Sequence, residues 1–104
     1  MSKICVFGDE LCFDVESDLE NYRVESIFDK EPETISWINS WQSNGTEAFY
    51  DVGANIGIYS LYAAYKHKHI NTFSFEPESR NYVSLLRNIL SNNTNNIHPF
   101  NLAL

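Results

Sequence analysis

Asp51-Val52-Gly53-Ala54-Asn55-Ile56-Gly57, followed nineteen residues after Gly57 by a second acid, Glu76, is where this sequence concentrates residues able to do chemistry. Glycine lets a backbone turn sharply and approach a ligand, which suits Gly53, and allows close helix–strand contact, which suits Gly57. A helix beginning just after such a loop presents unpaired N–H groups. An acid at the end of the next strand can accept hydrogen bonds from both hydroxyls of a ribose, the part expected of Glu76. Together these features outline a nucleoside-cofactor site. The bland alternative is a tight βα turn whose glycines serve packing, with Glu76 a solvated strand end.

The spacing and charge also bear on which cofactor. Gly53 and Gly57 stand four apart with Asn55 between them, and no third glycine completes the G-x-G-x-x-G of a nicotinamide dinucleotide site. Asn is among the few residues besides glycine that tolerate a positive φ, so the turn remains feasible. Asp51, two residues ahead of the first glycine, fits a cation better than a pyrophosphate. The methionine end of S-adenosyl-L-methionine carries an ammonium and a sulfonium, whereas NAD would bring negative phosphates near that carboxylate. S-adenosyl-L-methionine is the expected cofactor, and a nicotinamide-dependent oxidoreductase the disfavoured alternative.

The elements that must position these residues follow the rhythm strand, helix, strand, helix, strand, the pattern of a parallel α/β sheet. Residues 48–52 form a near-continuous apolar run ending around Asp51, as expected of a central strand covered on both faces. Residues 56–65 are expected to be a helix through Ile58, Leu61, Tyr62 and Tyr65. Residues 70–76 alternate at period two and stop at Pro77. A second amphipathic helix is expected over 79–90 through Tyr82, Leu85, Leu86 and Ile89, then a polar loop over 91–96, then a third strand over 97–104.

Upstream, residues 3–7 and 11–15 read as a hairpin around Gly8-Asp9-Glu10. A type II′ turn at Gly8-Asp9 would pair Phe7 with Glu10 and set Cys5 opposite Cys12; a turn at Asp9-Glu10 would not. Residues 22–28 suggest an extension of the sheet through Tyr22, Val24, Ile27 and Phe28. Pro32 at a first helical turn, followed by Ile35, Trp37, Ile38 and Trp41, suggests an amphipathic helix ended by Asn44-Gly45. The expected organisation is a β-rich flap over 1–29 and a Rossmann-like α/β unit over 30–104.

Residues 49–60, Phe49-Tyr50-Asp51-Val52-Gly53-Ala54-Asn55-Ile56-Gly57-Ile58-Tyr59-Ser60, followed by Phe75-Glu76-Pro77-Glu78, resemble the first two motifs of the FkbM family of class I S-adenosylmethionine-dependent methyltransferases. Glu31-Pro32-Glu33-Thr34 and Asn101-Leu102-Ala103-Leu104 resemble that family's flanking segments, so the likeness covers about residues 30 to 104. The resemblance implies methyl transfer, most readily to an oxygen, with Asp51 holding the cofactor's amino group. It also implies that Gly53, Ala54, Asn55 and Gly57 line the loop beneath it, that Glu76 takes the ribose hydroxyls, and that Glu33 and Thr34 lie near the cofactor. No catalytic base is implied, because methyl transfer is an in-line displacement helped mainly by alignment. The family's sheet runs three-two-one-four-five-seven-six, and this sequence supplies strands one to three. It therefore reads as the cofactor-binding half of an enzyme whose methyl acceptor is not specified here, with residues 48–52 a hydrophobic edge open to self-association. A non-catalytic interaction module built on that edge is the alternative from another class.

Composition narrows the remaining classes. The 104 residues, 43% hydrophobic, suit one domain with a modest core that buries roughly 60–65% of the unfolded surface. A net charge of −7 argues against nucleic acid, whose binders need clustered Lys and Arg. Eleven of the fourteen acids precede the glycine loop and read as a solvated acidic surface. No apolar run approaches the roughly 18–20 residues of a membrane helix, and the N-terminus is too short for a signal peptide, so a cytoplasmic protein without a membrane partner is expected. Cys5 and Cys12 lack metal or redox spacing and are expected as free thiols. His67 and His69 at i, i+2 do not share a helix face and read, with Lys66 and Lys68, as complements of a helix dipole rather than metal ligands. Trp37 and Trp41 read as core packing, and Arg80 and Arg87 as solvated helix residues.

Overall fold

A computed structural model of the chain describes residues 2–42 and 47–104. A two-stranded antiparallel hairpin, β1 (Ser2–Val6) and β2 (Leu11–Val15), precedes three helices, α1 (Asp18–Glu25), α2 (Ile27–Lys30) and α3 (Pro32–Asn39). Then β3 (Ala48–Val52), α4 (Ile58–Lys66), β4 (Asn71–Phe75), α5 (Ser79–Ser91) and β5 (Ile97–Phe100) build a parallel sheet of order β3-β4-β5. The expected α/β, Rossmann-like architecture is present, with each crossover helix following its strand. In β4, Thr72 and Ser74 are buried against the helical side, and Ser74 Oγ lies 2.6 Å from Ser60 Oγ of α4.

The core lies between this sheet and the hairpin, with α4 and α5 in the middle. Leu11, Phe13 and Val15 of β2 join Leu61, Tyr62, Leu85 and Ile89 of the two helices in one buried cluster. Asn88 of α5 and Asn92, the residue that caps its C-terminus, bind the backbone of β2. Asn92 accepts from the Cys12 amide at 2.8 Å and donates to the Cys12 carbonyl at 2.6 Å, and Asn88 accepts from the Asp14 amide at 2.7 Å. Their i, i+4 spacing puts both on one helix face, so α5 stands where another strand would pair with β2.

Several expectations are corrected. Residues 22–28 do not extend a sheet; they belong to α1 and α2. Ser17 caps α1 by accepting from the Glu20 amide at 3.1 Å, and the Glu20 carboxylate accepts from the Glu16 amide at 2.8 Å, close to a capping box. Cys5 and Cys12 are not free thiols but a disulfide, with Cα atoms 4.0 Å apart across the hairpin. The register is the one that sets them opposite, yet the turn is not type II′. Phe7, Gly8 and Asp9 all have positive φ (56°, 62° and 69°), whereas type II′ needs only the first central residue there.

Helix α3 begins at Pro32 as expected but ends at Asn39, capped through Ser40, so Trp41 lies beyond it; Asn44-Gly45 falls outside the described residues. Trp41 packs on Phe49 and His67, while Trp37 sits edge-on to Trp41 and is 55% exposed. His67 contributes an inter-helix link, its Nε2 lying 2.6 Å from the Ile38 carbonyl. Arg87 is a solvent-exposed residue of α5 as expected, and it pairs there with Glu16. Strand β3 is not covered on both faces. It pairs only with β4 among the described residues, and Tyr50 and Val52 are 58% and 60% exposed on the face away from the helices. There Tyr50, Phe73, Phe75 and Phe100 form a row of ring contacts.

Candidate functional site

The loop between β3 and α4 is shaped by three residues with left-handed backbone: Gly53 (φ 74°), Asn55 (58°) and Gly57 (98°). It is anchored to the neighbouring strand rather than to itself. The amides of Gly53 and Ala54 both donate to the Phe75 carbonyl, at 2.8 and 3.0 Å, and the Asn55 amide donates to Glu76 Oε1 at 2.7 Å. The Gly57 amide closes the turn on the Ala54 carbonyl at 2.9 Å, after which α4 starts. This break delays α4 by two residues relative to the periodicity.

A Cβ on Gly53 would meet nothing within 4 Å, so its open side is available to a ligand. A Cβ on Gly57 would lie 2.6 Å from Leu85 Cδ1 and 3.3 Å from Leu61 Cδ1. Gly57 thus permits close packing of α4's start on α5, a helix–helix contact rather than the expected helix–strand one.

Asp51 is half-buried at the end of β3, where its Oδ2 accepts from Ser60 Oγ at 2.6 Å. Burial raises its pKa above the usual carboxylate range; the Ser60 hydroxyl and amide pull it back, and the nearby charge of Glu76 adds to the rise. A carboxylate in that condition gains most from a cation placed beside it. Gly57, the N-cap of α4, has no side chain, and Asp51 supplies the missing negative group to the helix N-terminus through Ser60.

Glu76 is 6% exposed immediately after β4. Besides the Asn55 amide on Oε1, its Oε2 accepts from the Glu78 amide at 2.9 Å, and its carbonyl accepts from Asn101 Nδ2 at 2.9 Å. Each carboxylate oxygen can accept a second hydrogen bond.

A cavity of about 260 Å³ opens over the loop. Asp51, Gly53, Ala54 and Asn55 line it together with Ile58 and Tyr59 of α4, and with Arg23, Ser26, Ile27, Lys30 and Glu31 from the opposite wall. Gly57 and Glu76 are not in its lining: Gly57 lies behind the loop and Glu76 beneath it. The Tyr59 hydroxyl is pushed up to about 12 by burial and by a hydrogen bond to Glu31, with the charges of Glu31, Glu33 and Asp51 adding. Thr34 donates to Glu31 at 3.4 Å, and of Glu31, Glu33 and Thr34 only Glu31 lines the cavity, while the Glu33 charge still acts on Tyr59. Asn55 Oδ1 is buried with no hydrogen-bond partner, a vacancy that a donor on a ligand would fill. Ser60, Ser74, Tyr59 and the α1–α2 wall were missed from sequence. The acid-to-serine pairing spans nine residues and has no local signature, and the wall belongs to a segment expected to be strand.

No protein-family model matches the sequence, and no curated protein matches it. Among solved structures, the chain is similar to P. horikoshii TYW2 in complex with MeSAdo, with a TM-score of 0.58 and 21% identity over 68% of this chain and 26% of that one. It is also similar to PRMT6, with a TM-score of 0.56 and 22% identity over 81% of this chain and 25% of that one. The chain thus spans about a quarter of the length of each. The chain shares the Rossmann-like α/β fold of the matched part of these two structures.

Proposed function

We propose that this chain is the cofactor-binding part of an S-adenosyl-L-methionine-dependent methyltransferase of FkbM type, transferring a methyl group to an oxygen of a small-molecule or glycan-type acceptor. The observation that carries the reading is Asp51, a half-buried carboxylate with raised pKa lining a cavity together with Gly53, Ala54 and Asn55. Such a group suits an ammonium and repels a pyrophosphate. The fold likeness to TYW2 in complex with MeSAdo supports the same direction.

The residues present fit the cofactor. Asp51 would hold the amino group, the open side of Gly53 would let the ligand lie against the backbone, and Asn55 Oδ1 would gain a donor. Glu76 would accept from the ribose with the lone pairs its backbone amides leave free, while Gly57 supports the loop from behind. S-adenosyl-L-methionine supplies the activated methyl group; the protein contributes binding and alignment. At about 260 Å³ the cavity is below the range that encloses a drug-sized ligand whole, as expected if further strands complete it. In this reading residues 30–104 carry the glycine loop and both acids, residues 1–29 add the hairpin and part of the facing wall, and the unpaired edge of β3 with its exposed Tyr50 and Val52 face is where a further strand and helices would pack.

Thermal-shift titration tests the reading. S-adenosylhomocysteine should raise the unfolding temperature and NADH should leave it unchanged. A shift with NADH alone, or none with S-adenosylhomocysteine up to millimolar concentration, would refute it.

A further inference from the structure

The cavity above the glycine loop carries charge of both signs, with both cations facing Asp51 from the α1–α2 wall. Asp51 and Glu31 supply the acids, and Arg23 of α1 and Lys30 of α2 the cations. Neither Arg23 nor Lys30 forms an ion pair with a described residue. Arg23 is half-buried and Lys30 is exposed, and both line the cavity. A site for a purely cationic ligand has no use for two cations in its lining. A zwitterion has use for both signs.

From this polarity we propose that Arg23, with Lys30 at the rim, receives the carboxylate of the cofactor's α-amino-acid end while Asp51 receives its ammonium. The inference rests on the cofactor reading above and assigns a role to the α1–α2 segment, which otherwise only closes the cavity. Arginine suits the position because its planar fork offers two parallel N–H donors to a carboxylate, and a partly desolvated pair of that kind is stronger than one in open solvent. Ser26 and Ile27 at the α1–α2 junction complete that wall, which ties selection of the ligand's amino-acid end to the order of this junction.

Isothermal titration of the full chain with S-adenosylhomocysteine and with its decarboxylated analogue, which keeps the ammonium, isolates the contact. A charge-assisted hydrogen bond corresponds to about tenfold or more in affinity. Arg23→Gln should therefore weaken S-adenosylhomocysteine about tenfold or more and the decarboxylated analogue by no more than about twofold; Arg23→Lys should recover part of the loss. Equal weakening of both ligands, no weakening of either, or wild-type protein that does not distinguish them would overturn the assignment and leave the cofactor reading standing. Wild-type protein with no affinity for S-adenosylhomocysteine would overturn both. Far-ultraviolet circular dichroism of each variant separates a lost contact from a lost fold.

Discussion

Replacing Gly57 by alanine should damage the protein for two separable reasons. At φ 98° the backbone lies in the left-handed region, where an L side chain costs about 1–2 kcal/mol. The new Cβ would also sit 2.6 Å from Leu85 Cδ1. That atom ends a flexible side chain, but Leu85 is 0% exposed and in the central cluster, so it has nowhere to swing without displacing neighbours. Overpacking of this kind costs about 1–3 kcal/mol, giving about 2–5 kcal/mol in all. Gly53→Ala is the control: it also has positive φ, but its Cβ meets nothing, so only the backbone cost of about 1–2 kcal/mol is expected. Urea unfolding at pH 7, followed by far-ultraviolet circular dichroism, reads both values. In a Leu85→Ala background, which opens space at that contact, the cost of Gly57→Ala should fall toward that of Gly53→Ala. The reasoning fails if Gly57→Ala and Gly53→Ala cost the same in the wild-type background.

Two further outcomes are expected. The Asp51 carboxyl has a folded pKa above its ordinary value of 3.8, so its ionised form opposes folding at neutral pH, and that opposition fades as pH falls through the folded pKa. Asp51→Asn, which can still accept from Ser60, should raise the urea midpoint at pH 7 with the advantage shrinking by pH 4, and it should abolish S-adenosylhomocysteine binding; a variant less stable than wild type at pH 7 contradicts this. Asn88 is fully buried, donates to the Ile56 carbonyl at 2.8 Å and accepts from the Asp14 amide, so Asn88→Ala strands two backbone groups and should cost about 2–4 kcal/mol in the same assay, with faster hydrogen exchange at the Asp14 amide. A cost under about 1 kcal/mol would show that water takes over both partners.

Where hydrophobic periodicity was strong, the sequence located the elements closely. Strand β3 spans residues 48–52 as expected, and α5 differs from expectation by one residue at its end. Periodicity failed at α1, where only Val24 is buried and the helix has no apolar face to advertise. The informative signal there was polar: Ser17-Asp18-Leu19-Glu20 is a capping-box spacing, and it outweighs the scattered Tyr22, Val24 and Ile27. Asn92 was legible only as part of a polar loop and Asn88 only as a helix position. Asn88 and Asn92 bind a strand some eighty residues away in sequence, and no local rule forecasts such a contact. The Cys5–Cys12 disulfide turned on hairpin register, which the turn chemistry left between two alternatives. At the site, the loop residues followed from local backbone requirements, whereas the wall carrying Arg23 and Lys30 depended on the misread α1.

The glycine loop and its two acids stand together for a topological reason. In a parallel sheet, adjacent strands end on the same side, so the turn after β3 and the residue after β4 must meet. Here they are joined by the Gly53 and Ala54 amides on the Phe75 carbonyl and by the Asn55 amide on Glu76. All these groups come from one βαβ unit, so the loop's conformation needs no strand beyond β4. Asp51 is likewise held by Ser60 of the intervening helix, and Ser60 by Ser74 of β4. This closed circuit explains how a chain spanning about a quarter of the matched structures still holds the loop in place through its own βαβ unit. It also separates the two acids by task. Glu76 gives a lone pair on each carboxylate oxygen to the backbone and so fixes the loop, whereas Asp51 has its one described side-chain bond to Ser60 and faces the cavity. Loss of Glu76 should therefore disturb loop and ligand together, while loss of the Asp51 charge should cost the ligand alone.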